Sequence, residues 1–367
     1  MAKKKTAARR SPLRRPKPAP KPSPRAARSG AGTAGGTLPG IGGTPATNPA
    51  ALAATAPADA AVLSPTAIEV AERAQRQAAI RERERRINDY DAAVSAWSTT
   101  RRPGAPLTFG AAGDKRPPLR ILAEGDSWFD FPFGGKPFRG GDVIERLRDI
   151  IPFPILNLAV RGDEVRSMLG CAQRQRLRQL LEDPGRDFNV LLFSGGGNDI
   201  VGDPFRLWLR DRAISGGDPA RALNDAAIGC ILQVVRTAYE DLLDLRDQVV
   251  ARTPGRSITV FCHGYDWAIP SGNGVCGFGP WLKPSLEDRG WRQPAEARAI
   301  VKEALSRFAD LLEDISRQYA DVVVVRTQGT LGPTEWNDEL HPNREGFPKI
   351  AAKFREALKV KFPTLVK

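Results

Sequence analysis

The chain divides where its hydrophobic pattern changes. Over residues 1–65, Pro, Ala, Gly, Thr and basic residues dominate and large apolar side chains recur with no period. Such a segment reads as a disordered tail. Over residues 66–98, Ile68, Val70, Ala71, Ala78, Ile80, Ile87 and Tyr90 are interleaved with alternating Arg and Glu. That pattern predicts a charged helix, either a stalk or an arm packed on the domain. Residues 99–118 hold Pro103, Pro106, Pro117 and Pro118 and read as a linker. Five short apolar runs then recur at 119–123, 155–160, 190–193, 258–262 and 322–325, each bounded by Gly, Pro or polar turns. The intervals read as helices at about 142–149, 164–181, 219–250, 295–319 and 344–358. Strands alternating with helices predict an α/β domain over 119–367, with a parallel sheet covered on both faces. In such sheets the chemistry collects where the carboxyl ends of strands meet loops.

Charge changes the picture only at the amino end. The net charge is +13, but residues 1–28 hold 11 Lys or Arg and no acid, leaving +2 for everything else. The body is nearly neutral, and the basic tail is suited to touching nucleic acid, anionic lipid or an acidic partner. No compact apolar stretch with a cleavage site follows the basic start, and Arg14-Arg15 continues into Pro-Lys-Pro rather than a twin-arginine signal. The cytoplasm is therefore the default location. The apolar runs are too short to span a bilayer. The four cysteines, Cys171, Cys230, Cys262 and Cys276, match neither zinc nor redox spacing. The first three sit in apolar contexts and read as small core residues.

Four polar clusters fall just after predicted strands or in the last loop. The first strand runs into Glu124-Gly125-Asp126-Ser127, placing a serine at the sheet edge, although Gly-Asp-Ser alone is a common turn. After the second strand comes Arg161-Gly162, whose backbone N–H could face the same cleft. After the third comes Ser194-Gly195-Gly196-Gly197-Asn198-Asp199. Its glycines permit close backbone approach, and the Asn198 amide is a donor suited to an oxyanion. The last is Asn337-Asp338-Glu339-Leu340-His341-Pro342, in which a turn can set Asp338 against His341 Nδ1 and leave Nε2 as a base. The other histidine, His263, is the rival base, but its nearest acid, Asp266, follows it instead of preceding it.

Taken together, Gly125-Asp126-Ser127, Gly162, Gly196-Gly197-Asn198-Asp199 and Asp338-Glu339-Leu340-His341-Pro342 resemble the SGNH hydrolase family, also called GDSL esterases, over about residues 119–360. The resemblance implies a flavodoxin-like, three-layer α/β/α sandwich on a parallel five-stranded sheet. It implies Ser127 as nucleophile, His341 as general base and acid, and Asp338 as its orienting partner. The N–H groups of Ser127 and Gly162 and the Asn198 amide would form the oxyanion hole. No metal or organic cofactor is implied, and the substrate would be a small-molecule or lipid ester. The common α/β-hydrolase motif Gly-x-Ser-x-Gly is absent, because Phe129 occupies the second glycine position.

Two segments depart from the family pattern. The aromatic run at residues 128–133 follows the serine, and Trp128 and Phe129 read as either a substrate wall or a hydrophobic plug. The long connection at residues 264–290, with Trp267 and Trp281, reads as either a substrate-covering lid or a rigid insert. A second class of function remains open at this level. In it the basic tail directs binding or delivery to anionic membrane or nucleic acid, and the hydrolase body is secondary or inactive.

Overall fold

The computed structural model describes residues 65–100, 118–133, 141–202 and 204–366. The reading of residues 1–65 as a disordered basic tail, and nearly all of the linker reading, lie outside these residues.

Five strands form one sheet: β1 (Ile121–Gly125), β2 (Ile155–Asn157), β3 (Val190–Ser194), β4 (Thr259–His263) and β5 (Val322–Val325). Their order is β2-β1-β3-β4-β5 and every neighbouring pair is parallel. β1, β3 and β4 are buried along their whole length, which is why they read as unbroken apolar runs. The helices are α1 (Pro65–Thr100), α2 (Val143–Ile150), α3 (Val165–Met168), α4 (Cys171–Glu182), α5 (Gly197–Ile200), α6 (Phe205–Trp208), α7 (Asp225–Ala251), α8 (Lys283–Asp288), α9 (Pro294–Gln318) and α10 (Gly346–Lys361). Right-handed crossovers put α2 on one face and α4, α7 and α9 on the other, since the chain steps outward to β2 and then returns past β1. The packing agrees: α10 joins α2, while α7 joins α4 and α9. The result is a three-layer α/β/α sandwich whose strand order reverses between β1 and β3, the position where open sheets of this kind form a crevice.

Several boundaries shift from those expected, each for a local reason. β2 stops at Asn157 rather than at residue 160, because the Asn157 side chain accepts from Ala159 N and turns the chain. The helix expected at 164–181 breaks into α3 and α4 around Leu169-Gly170. α7 starts late because Asn224 caps it, accepting from Ala227 N, after a short 3₁₀ turn at Pro219–Arg221 capped by Asp218. α2 begins with Asp142, whose buried carboxylate accepts from Glu145 N; burial pushes that carboxyl up to about 7. Cys171 and Cys230 are exposed, contrary to the expectation that they are core residues, because Cys171 opens α4 and Cys230 faces solvent on α7. Only Cys262, on β4, is buried.

α1 packs on the sheet instead of projecting from it. Tyr90 is buried against Phe188, with ring centroids 5.4 Å apart, and Ile87, Val94 and Trp97 lean on the core. Two arginines do the rest. Arg83 is buried beside Asp163 and bonds Gln173. Arg86 pairs with Asp130 at 2.8 Å and donates to the carbonyls of Asn157 and Ala159. Arg148 of α2 donates to the carbonyl of Ile155 at 2.7 Å. Among the described residues no helix is long and apolar enough to cross a membrane.

Candidate active site

β1 and β3 lie so close that a Cβ on Gly125 would sit 2.6 Å from the Ser194 carbonyl oxygen, so only glycine fits there. Beyond Gly125 the chain turns sharply. Asp126 N donates to Ser194 O, and Trp128 N and Phe129 N donate back to the Asp126 side chain and carbonyl. This turn lifts Ser127 out at the carboxyl end of β1, partly exposed.

The last loop comes to meet it. Asn337 N donates to His341 O at 2.8 Å, closing a tight turn. Within it, Leu340 N and His341 N both donate to Asp338 Oδ1, at 2.8 and 2.9 Å. The same carboxylate takes His341 Nδ1 at 2.8 Å to Oδ1 and 2.9 Å to Oδ2. His341 Nε2 then lies 2.7 Å from Ser127 Oγ. Burial alone would raise the Asp338 carboxyl, but its bond to His341 and the histidine's charge hold it below the usual carboxylate range.

Gly162 and Asn198, expected as oxyanion donors, stand on the adjacent loops. Gly162 follows β2 with φ of +82°, a left-handed turn that glycine adopts without strain. Among the described residues, no protein acceptor takes the N–H of Ser127 or of Gly162. Asn198 lies in the first turn of the short α5 after β3 and spends one amide hydrogen on Asp163 O at 2.9 Å. A carboxamide carries two, so one remains for a ligand.

A second polar network lies beneath this surface, and nothing in the sequence patterns exposed it. Asp126 accepts from Ser194 Oγ at 2.8 Å and from the Tyr265 hydroxyl at 2.5 Å. The same hydroxyl accepts from Gly197 N at 3.0 Å, so Tyr265 joins the Ser127 turn to the residue preceding Asn198. It does so from a left-handed backbone, φ 57°, which is unfavourable for a bulky side chain. Burial pushes the Asp126 carboxyl up, while its three donors pull it down. His263 belongs here. It is fully buried, its Nε2 bonds Ser194 Oγ at 2.9 Å, and its Nδ1 accepts from Tyr265 N at 3.2 Å. Burial lowers it to about 3, so it is neutral and fully used, and no candidate base.

The four aromatic residues expected at a substrate wall separate. Phe129 is core: it has no exposed surface, stacks on His263 and meets Phe354 edge-on. Trp128 is also buried, donating Nε1 to Leu340 O at 3.1 Å, and only its edge reaches the cleft beside Ser127. Trp267 lies under Lys302 and against Gly329 and does not line the cleft beside Ser127. Trp281 does reach the site, edge-on to His341 with centroids 5.6 Å apart. Phe131, not singled out by the sequence, stacks on the His341 ring at 4.5 Å. The aromatic run is thus chiefly a plug supporting the histidine from below.

The connection at 264–290 is pinned by two carboxylates. Asp266 accepts from Trp267 N, Gly329 N and Leu331 N at 2.6–2.7 Å. Glu339, with no exposed surface, accepts from Gly272 N, Trp281 N, Leu282 N and Lys283 N at 2.6–3.1 Å. Seven backbone donors on two buried acids describe an anchored insert, tied to the loop that carries Asp338 and His341. Among the described residues no cluster of three or more His, Cys, Asp or Glu could hold a metal ion.

No model of a known protein family matches the sequence, and no curated protein matches it. Solved structures do resemble it. An α/β hydrolase enzyme from the metagenome of Lake Arreo, Spain, is 16% identical over 66% of this chain and 95% of its own, with a TM-score of 0.37. A protein of Slackia heliotrinireducens described as an SGNH hydrolase is 12% identical over 65% and 98%, at 0.38. A family 3 carbohydrate esterase of Clostridium thermocellum is 14% identical over 68% and 99%, also at 0.38. At such values the fold of this chain rests on its own sheet order.

Proposed function

We propose that the protein is a serine hydrolase of the SGNH type that cleaves carboxylic esters through an acyl-enzyme. The observation that carries this reading is the line Asp338–His341–Ser127, with bonds of 2.8 and 2.7 Å on opposite ring nitrogens of one imidazole.

The chemistry follows from that order. Asp338 on Nδ1 fixes the tautomer in which Nε2 is the base, and it stabilises the imidazolium once the proton arrives. Ser127 Oγ, relieved of its proton, attacks the ester carbonyl. The N–H groups of Ser127 and Gly162 and the second Asn198 amide hydrogen receive the oxyanion, each such donor contributing about 3 kcal/mol at the transition state. His341 passes its proton to the departing alkoxide. A water deprotonated by the same histidine then releases the acid and restores the serine.

The test is hydrolysis of p-nitrophenyl esters from acetate to long acyl chains, with Ser127→Ala alongside. Wild-type turnover that vanishes in the variant is expected, together with fluorophosphonate labelling that also vanishes. Turnover or labelling that survives Ser127→Ala overturns the assignment.

A further inference from the structure

A small cavity of ≈ 40 Å³ opens beside Ser127. Its mouth carries Ser127 and Asn198, and its inner wall comes from three places in the chain. Ile200 and Phe205 descend from α5 and α6, Leu282 precedes α8, and Val301, Ala304 and Leu305 rise from α9. These six side chains are buried in the sense that each keeps 5% or less of its surface exposed. Protein interiors are close-packed, so an apolar hollow touching a reactive serine is an exception that calls for an occupant.

Its polar lining offers little to hydrogen-bond. The two carboxylates on the wall are Asp126 and Asp266. Asp126 is engaged by Ser194, Trp128 and Tyr265, and Asp266 by three backbone N–H groups. The Tyr265 hydroxyl is spent between Asp126 and Gly197. A sugar or other hydroxylated group placed here would lose its water without replacement, a cost an aliphatic chain does not carry.

The geometry also distinguishes the two halves of an ester. The alcohol departs with a proton from His341 Nε2, so it must leave on the histidine's side, where Trp281 stands edge-on to the ring. Neither His341 nor Trp281 lines the cavity, whereas Ser127 and Asn198 do. We infer that this cavity is the acyl site and that its size suits a short unbranched aliphatic acyl group of about two to four carbons, with Ala304 and Phe205 setting the accepted length. The inference rests on Ser127 being the nucleophile.

The experiment is kcat/KM for p-nitrophenyl acetate, butyrate, hexanoate, octanoate and dodecanoate. It is run on wild type, Ala304→Leu, Phe205→Ala and Ser127→Ala, with thermal unfolding recorded for each. In the wild type, kcat/KM rises by up to about fourfold per added methylene while the chain fills apolar space, then falls once the wall is reached. Ala304→Leu shortens the optimum, lowering butyrate about tenfold or more with acetate within about threefold. Phe205→Ala lengthens it. Hydrolysis abolished by Ser127→Ala but independent of chain length in the wild type overturns the acyl site and leaves the nucleophile standing. So does a uniform loss across all esters in a folded Ala304→Leu. Hydrolysis that persists in Ser127→Ala overturns the nucleophile itself. Should both cavity variants unfold, the wild-type length profile alone decides.

Discussion

Two serine–histidine pairs stand at the carboxyl ends of this sheet, and their distances are nearly the same. Ser127 lies 2.7 Å from His341, and Ser194 lies 2.9 Å from His263. Each pair has an aspartate in bonding range. What differs is where the acid binds. Asp338 holds the far nitrogen of His341, so the near nitrogen can accept the serine proton. Asp126 holds Ser194 itself, and the far nitrogen of His263 accepts a backbone N–H instead. His263 must therefore donate from Nε2, and Ser194 gives its proton to Asp126. The first arrangement leaves the near nitrogen open to the serine proton, and the second engages every proton within the fold. A serine–histidine distance by itself is no mark of catalysis; the placement of the acid and access to solvent decide.

Substituting the two serines tests this contrast most severely. Ser127→Ala should lower ester turnover by about 10⁴-fold or more with the unfolding temperature nearly unchanged. Ser194→Ala should do the reverse, retaining turnover within about tenfold while costing about 1–3 kcal/mol of stability, because His263 and Asp126 each lose a buried partner. Loss of turnover in a stable Ser194→Ala would break the comparison. Asp338→Asn comes next: turnover should drop about 10²- to 10⁴-fold, since an amide no longer enforces the productive tautomer. A near-normal rate would remove Asp338 from the mechanism.

The networks meet at Tyr265, a positioning residue whose hydroxyl spans Asp126 and Gly197. Tyr265→Phe should reduce kcat about 10- to 100-fold with KM changed little, because the Asn198 donor shifts relative to Ser127. A matching weakening of a trifluoromethyl ketone inhibitor, which uses the same oxyanion donors, separates this from a general loss of structure. An unaltered kcat would make the bridge purely architectural.

A further effect concerns pH. His263 titrates at about 3 in the folded chain, against an ordinary 6.5. The unfolded chain therefore takes up a proton below pH 6.5 that the fold refuses. The stability due to neutral His263 is full above that pH and is lost as pH falls toward 3. Compared with His263→Phe, the wild type should lose stability from pH 6.5 downward, with a slope approaching about 1.4 kcal/mol per pH unit. A pH-independent difference in denaturant unfolding would show that this histidine titrates normally.

The sheet and the Asp338–His341 pairing were legible because each depends on short stretches of chain. Buried parallel strands are apolar on both faces, and Asp338 and His341 are three residues apart on one turn. What stayed hidden depends on distant partners. Arg83 and Arg86 read as surface charges until Asp163, Asp130 and the end of β2 are brought to them. Phe129 and Trp128 are equally apolar as letters, and only the sheet decides that one is core and the other edges the cleft. Glu339 was visible between Asp338 and His341, but its task lies in the four N–H groups it collects from more than fifty residues upstream.

The arginines on α1 and α2 also close a border of the sheet. β2 is an edge strand, and an edge strand offers unpaired backbone groups to any other strand that arrives. Here Arg148 takes the carbonyl of Ile155 and Arg86 takes that of Asn157, alternate residues along that open side. The charged helix, expected as a stalk or as an arm packed on the domain, is the arm and covers part of this edge. A chain shortened to begin at residue 119 would keep Ser127, Asp338 and His341, yet leave the Asn157 and Ala159 carbonyls without Arg86.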